Sequence, residues 1–148
     1  MQVREIIRLK GGSLFTATPQ QSLAAAIDTM AELDVGSLVV MQDGKMAGML
    51  TFREVMLALK AHGSRTDGVV VGDVMVRTPV TAFPDMEAND LRRLMIEKHS
   101  RYLPVLEGDT LMGVISFLDV AKAVLEEQSF ENKMLKSYIK NWPDEPQI

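Results

Sequence analysis

The sequence predicts a mixed α/β (α+β) fold in which one unit, β-α-β-β-α, is used twice and the two copies pack about a pseudo-twofold axis. Three observations lead there. The first is an internal repeat. Displaced by 65 residues without a gap, Pro19 falls on Pro84, Met30 on Met95, Leu38 on Leu103, Val40 on Val105, Gly48 on Gly113, Phe52 on Phe117 and Val55 on Val120. From Thr16 to Leu59 there are 11 identities in 44 positions, where chance would give roughly two or three. The second is that both copies show the same order of apolar patterns and turns. The third is size: a unit of about 60 residues buries too little surface to be stable alone, and a second copy supplies the missing cover.

The elements follow in order. A short helical turn precedes each unit, around "REIIRL" and "VGDVM". An extended piece comes next, "LFTATP" or "PVTAFP". Leu23, Ala26, Ile27 and Met30 in the first copy, and Leu91, Leu94 and Met95 in the second, mark one apolar helix face. The apolar runs "SLVVM" and "YLPVL" then end in the turns "QDGK" and "EGDT", and second runs, "MAGML" and "LMGVI", return. Each unit closes with a helix whose start is marked by a hydroxyl and an acid three residues on, Thr51 with Glu54 and Ser116 with Asp119, the pattern of a capping box. The first unit spans residues 1–60, the polar "AHGSRTDG" is a linker over 61–68, and the second unit spans 69–125. Residues 126–148 form a C-terminal helix and tail, the helix stopping at Pro143. Its Phe130, Met134, Leu135 and Tyr138 share helical spacing, suited to packing on a second protomer or on its own module.

Composition narrows the function classes. The 148 residues are 47% hydrophobic and 24% charged, which suits a globular chain. A net charge of −4 argues against nucleic acid as a partner, and adjacent Arg92 and Arg93 read as solvated charges. There is no cysteine, hence no disulfide, thiolate metal site or thiol nucleophile, in keeping with a reducing compartment. Neither a signal-peptide core nor a run of membrane-span length is present, and the expected location is the cytoplasm. The 11 Met fit a packing role at Met30, Met49, Met95 and Met112, and His62 and His99 read as surface residues. No nucleophile–base arrangement, Gly-rich phosphate loop or set of metal ligands at suitable spacing is found, so no catalysis is expected.

The stretches "VGSLVVMQDGKMAGMLTFREV" and "SRYLPVLEGDTLMGVISFLDV" resemble those of a tandem cystathionine-β-synthase (CBS) domain pair, or Bateman module, of the small stand-alone bacterial type. The most specific marks are the "LPV" after an Arg, the Gly before the last strand and the Ser/Thr-x-x-Asp. The resemblance covers almost the whole chain. It implies a regulatory module that binds an adenosine-containing ligand, foremost AMP, ADP or ATP, with NAD(H) and S-adenosylmethionine as alternatives. It also implies a homodimer that passes its state to an unknown effector protein.

Carried over residue by residue, the resemblance implies two clefts, each built from both copies. One sets Ser116 and Asp119 against Leu14, Phe15 and Thr16, with Val35, Gly36 and Ser37. The other sets Thr51, Arg53 and Glu54 against Pro79, Val80 and Thr81, with Ser100, Arg101 and Tyr102. A carboxylate suits a ribose diol because it accepts from both hydroxyls, while Arg and a helix N-terminus suit phosphate. The clefts are unequal. Asp119 matches the family pattern, whereas Glu54 adds a methylene and could serve as a cap alone. The Glu54 cleft owns Arg53 and Arg101, and the Asp119 cleft has Gly36 and Ser37 where an Arg could stand. One good site and one weak or empty site are expected. The alternative is an interaction or dimerisation module with degenerate clefts.

Overall fold

The computed structural model describes residues 1–11 and 13–141. Residues 142–148, with the helix stop expected at Pro143, lie outside the described residues. The elements are α1 (Val3–Lys10), β1 (Thr16–Ala17), α2 (Leu23–Leu33), β2 (Ser37–Gln42), β3 (Lys45–Thr51), α3 (Phe52–Ala61), α4 (Val71–Val74), α5 (Ala88–Lys98), β4 (Tyr102–Glu107), β5 (Thr110–Ser116) and α6 (Phe117–Lys140). The repeat is visible in the register. Val40 pairs with Gly48 in the antiparallel β2–β3 hairpin and Val105 with Gly113 in β4–β5, and each ladder shifts register just after that pair. Helices α2 and α5 both end on a left-handed residue, Asp34 and His99, at matching positions.

The copies differ in their first strand. β1 runs parallel to β2, with the Val39 N–H donating to the Phe15 carbonyl at 3.0 Å. The matching donor in the second copy would be residue 104, which is Pro104 and has no N–H. The extended piece "PVTAFP" is accordingly held there by one bridge, Ala82 to Val105, rather than by a strand.

The leading helices are exchanged. Val3 and Ile6 of α1 lie in the second unit's core with Leu91, Met95, Leu103, Ile115 and Val120. Val71 and Met75, in and just after α4, lie in the first unit's core with Leu23, Met30, Leu38 and Leu50. Matched backbone bonds fasten the exchange: Val3 N–H to Met86 O at 2.9 Å and Ala88 N–H to Met1 O at 2.8 Å on one side, Leu23 N–H to Val69 O at 2.8 Å and Val71 N–H to Gln21 O at 2.9 Å on the other. Residues 1–10 therefore pack with the second unit, although the chain order places them with the first. An exchange of this kind buries two short amphipathic helices that neither unit alone would hold.

Helix α6 runs without a break through 125–126. Val120, Ala123 and Val124 are buried, whereas every described residue from Gln128 onward is exposed. Phe130, Met134 and Leu135 are exposed rather than docked on their own module, which disfavours one of the two packing places expected from the sequence. Among the described residues, no helix is long and apolar enough to cross a membrane.

Candidate functional site

The site begins at the ends of the two hairpins. Ser37 pairs with Thr51 and Tyr102 with Ser116, so each β-hairpin brings its entry residues beside the N-cap of the helix that follows. The Phe52 N–H donates to Gly36 O at 3.2 Å and the Phe117 N–H to Arg101 O at 2.8 Å, which ties the entries to the helix starts. Between these ends lies a cavity of about 410 Å³, of the size small-molecule sites have. Its wall includes Leu14 and Phe15 from before β1, Val35, Gly36 and Ser37 before and at the start of β2, Arg101 and Tyr102 at β4, and Ser116 to Leu118 at the turn into α6. Both repeats contribute. Leu14 and Phe15 present apolar surface, suited to the face of a flat ring, while the Phe15 carbonyl is engaged by Val39.

Asp119 closes its capping box in the expected way. Its Oδ2 accepts from the Ser116 N–H at 2.8 Å, and its own N–H donates to Ser116 Oγ at 3.1 Å. The same Oδ2 accepts from the Lys10 ammonium at 2.8 Å, and that ammonium also donates to Val114 O at 2.8 Å. Burial pushes the Asp119 carboxyl up, but the hydrogen bonds from Lys10 and Ser116 outweigh it and hold the group below its ordinary value. Lys10 lines the cavity, and Asp119 stands behind it.

The second acid is used differently. Glu54 is 6% exposed, and its Oε1 accepts from both the Thr51 N–H at 2.9 Å and the Thr51 hydroxyl at 2.7 Å. Like Asp119, the carboxylate folds back onto the N–H of its own N-cap, but it also takes the N-cap hydroxyl.

Of the residues assigned to the Asp119 cleft, Leu14, Phe15, Val35, Gly36, Ser37 and Ser116 line the cavity; Thr16 does not, being committed to β1. Arg101 and Tyr102, assigned to the other cleft, line this one. The reason is steric: Gly36 has no side chain, and a Cβ there would collide with the Tyr102 phenol, so Tyr102 crosses into the space that Gly36 leaves. The remaining assignments are not brought together at this cavity. Arg53 is exposed on the first turn of α3, Val80 packs against the second unit's core, Pro79 and Thr81 are half-buried beside it, and Ser100 Oγ donates to Lys98 O at 3.4 Å. Lys10, Ser13, Asp34, Val114, Phe117 and Leu118 line the cavity without having been expected. Lys10 and Asp119 lie 109 positions apart, and the pairing depends on the exchanged helix α1, which leaves no local sequence signal.

With both units and the cavity between them described, the fold defines a twin-repeat module with an inter-repeat cleft. A family model for the CBS domain matches twice, over residues 3–61 and 71–126, and the chain belongs to the CBS-domain family as a tandem pair. It is 27% identical over 146 residues to the CBS domain-containing protein CBSX3, mitochondrial, of Arabidopsis thaliana, covering 93% of this chain and 71% of that protein. It is 31% identical over 114 residues to the CBS domain-containing protein YhcV of Bacillus subtilis, covering 77% and 81%. The CBS-domain containing protein ATU1752 of Agrobacterium tumefaciens superposes with a TM-score of 0.79 at 28% identity, over 83% of this chain and 98% of that one. Pairs of this family are in general regulatory modules.

Proposed function

We propose that this pair is a regulatory sensor that binds an adenosine-containing ligand, foremost AMP, ADP or ATP, in the cavity between its repeats. The observation that carries the reading is the composition of that cavity. Apolar side chains, Leu14, Phe15 and Val35, line it and suit a base. Ser116 and the nearby Asp119 offer acceptors for a ribose, and Lys10 and Arg101 supply positive charge for phosphate. NAD(H) and S-adenosylmethionine share the adenosine part and are the alternatives. The role is binding and not catalysis, and the state is passed to an effector protein. Exposed apolar residues at the starts of the two closing helices, Phe52 and Met56 of α3 with Phe117 and Leu118 of α6, suit a homodimer interface.

A second reading, an interaction module with degenerate clefts, is favoured at the Glu54 side, where the carboxylate is buried in its own cap. We therefore expect one working site per chain. Isothermal titration of AMP, ATP, NADH and S-adenosylmethionine into dialysed protein tests both readings. Saturable binding at one ligand per chain, weakened at least tenfold by Asp119→Ala, supports the sensor. Folded protein that takes none of the four refutes it and leaves the interaction module.

A further inference from the structure

The two oxygens of Asp119 are not equivalent. Oδ2 accepts from the Ser116 N–H and from the Lys10 ammonium, each at 2.8 Å. Oδ1 accepts no hydrogen bond among the described residues. A carboxylate grips a vicinal diol with both hydroxyls by offering lone pairs on both oxygens. Here Oδ1 can take one hydroxyl, but both in-plane lone pairs of Oδ2 are in use. A two-handed grip on a ribose requires Lys10 to leave Oδ2. Its remaining bond, to Val114 O at 2.8 Å, keeps the ammonium at the cavity wall, and two of its three donors then face outward.

The consequence differs between ligands. A nucleoside that displaces Lys10 breaks the ion pair with Asp119 and offers the ammonium no anion in its place. A nucleotide brings its own anion on the same sugar, and the released ammonium exchanges a carboxylate for a phosphate. Arg101, on the same cavity wall, adds to the attraction without competing for Asp119. We propose that Lys10 sets the selectivity of this cavity for phosphorylated adenosine over the bare nucleoside, by competing with the ribose for Asp119 and pairing with the phosphate once displaced. The inference rests on the sensor reading above and assigns one residue its specificity.

The test is calorimetry with adenosine, AMP, ADP, ATP and S-adenosylmethionine on the wild type and on Lys10→Met, Lys10→Gln and Lys10→Arg, each variant first shown to be folded by circular dichroism. The wild type should prefer a phosphorylated ligand. Lys10→Met should bind adenosine as well as or better than the wild type and the nucleotides more weakly. The ratio of the two affinities should fall about tenfold or more, the worth of one charge-assisted contact. Lys10→Gln, which keeps a donor for Val114 without the charge, should fall as far, and Lys10→Arg should keep most of the ratio. An unchanged ratio in the Met and Gln variants, with the wild type still binding nucleotide, overturns the role of Lys10 and leaves the sensor standing. Binding of S-adenosylmethionine alone, which has no phosphate, does the same. A wild type that binds none of these ligands overturns the sensor reading itself.

Discussion

Gly48 and Gly113 are the same residue of the repeat, each opposite a valine at the same place in its hairpin, yet Ala should have opposite effects at the two. A Cβ on Gly48 would run into the backbone carbonyl of Val76. That carbonyl belongs to the segment after α4, which is bonded to β3 by Met49 N–H to Val76 O at 2.9 Å and Val76 N–H to Met49 O at 2.8 Å. Backbone cannot rotate aside, so the segment must lift. Overpacking of this kind costs about 1–3 kcal/mol, and weakening one of the two bonds adds about 1 kcal/mol. A Cβ on Gly113 would meet only the Ile7 side chain, at 3.4 Å, an ordinary contact with a flexible group. There the loss of unfolded-state freedom should leave Ala neutral or about 0.4–1 kcal/mol stabilising. The expected gap between Gly48→Ala and Gly113→Ala is thus about 2–5 kcal/mol. Urea unfolding followed by circular dichroism should show it as a midpoint difference of roughly 1–2.5 M at an ordinary urea dependence. Two variants within about 0.5 kcal/mol of each other would refute the claim that the α4 segment crosses tightly over Gly48.

Four further outcomes are expected. Glu54→Ala, which leaves the Thr51 N–H without its acceptor, should lower stability by about 1–2 kcal/mol in urea unfolding and leave nucleotide affinity within twofold of wild type. Asp119 has a folded-state value below its ordinary 3.8. Its contribution to stability is present above 3.8 and is lost as pH falls through the lower folded value, so Asp119→Asn should flatten the acid limb of the stability curve. The Met1 ammonium is raised from 8.0, first by its hydrogen bond to Glu127. That contribution is present below pH 8.0 and fades as pH rises through the folded value, and the stability gap between wild type and Glu127→Gln should narrow accordingly on alkaline titration. Finally, Met56→Glu or Leu118→Glu should convert the proposed homodimer to monomer in sedimentation at micromolar protein, with the fold retained; a dimer that persists in both places the interface elsewhere.

How far the sequence speaks for itself follows from the range of each interaction. The repeat offset carried over into the register of both hairpins, because strand pairing across a two-residue turn is local. The helix faces were equally legible: Leu23, Ala26 and Met30 are buried, as are Leu91 and Met95. Both N-caps fall where a hydroxyl precedes an acid by three. The short strand expected at "PVTAFP" failed for a reason already written in the chain, the Pro at position 104 of the strand it would pair with. The exchange of α1 and α4 was not legible, since both helices have apolar faces that either unit could accept. The site inherits that gap. Leu14, Phe15, Gly36 and Ser116 could be placed because each adjoins a recognisable element, whereas Lys10 and the crossing of Tyr102 depend on contacts between units.

The two helix starts differ for one structural reason. After the exchange, each unit's last strand is crossed by the other unit's leading segment. Over β3 that segment is the single turn α4, which ends at Val74 and lets Val76 bond to Met49 as extended chain. Over β5 it is α1, which continues to Lys10 and covers Gly113 with the side chain of Ile7. One further turn of helix carries a lysine from the covered strand to the carboxylate at the start of α6. The acids differ to match. Asp119 shares its cap-bound oxygen with Lys10, whereas Glu54, one methylene longer, takes the Thr51 hydroxyl and the Thr51 N–H on one oxygen. On the sensor reading proposed above, the length of the crossing helix and the acid side chain favour the same cleft, and substitutions at either should tell on ligand selectivity there and on stability alone at the other.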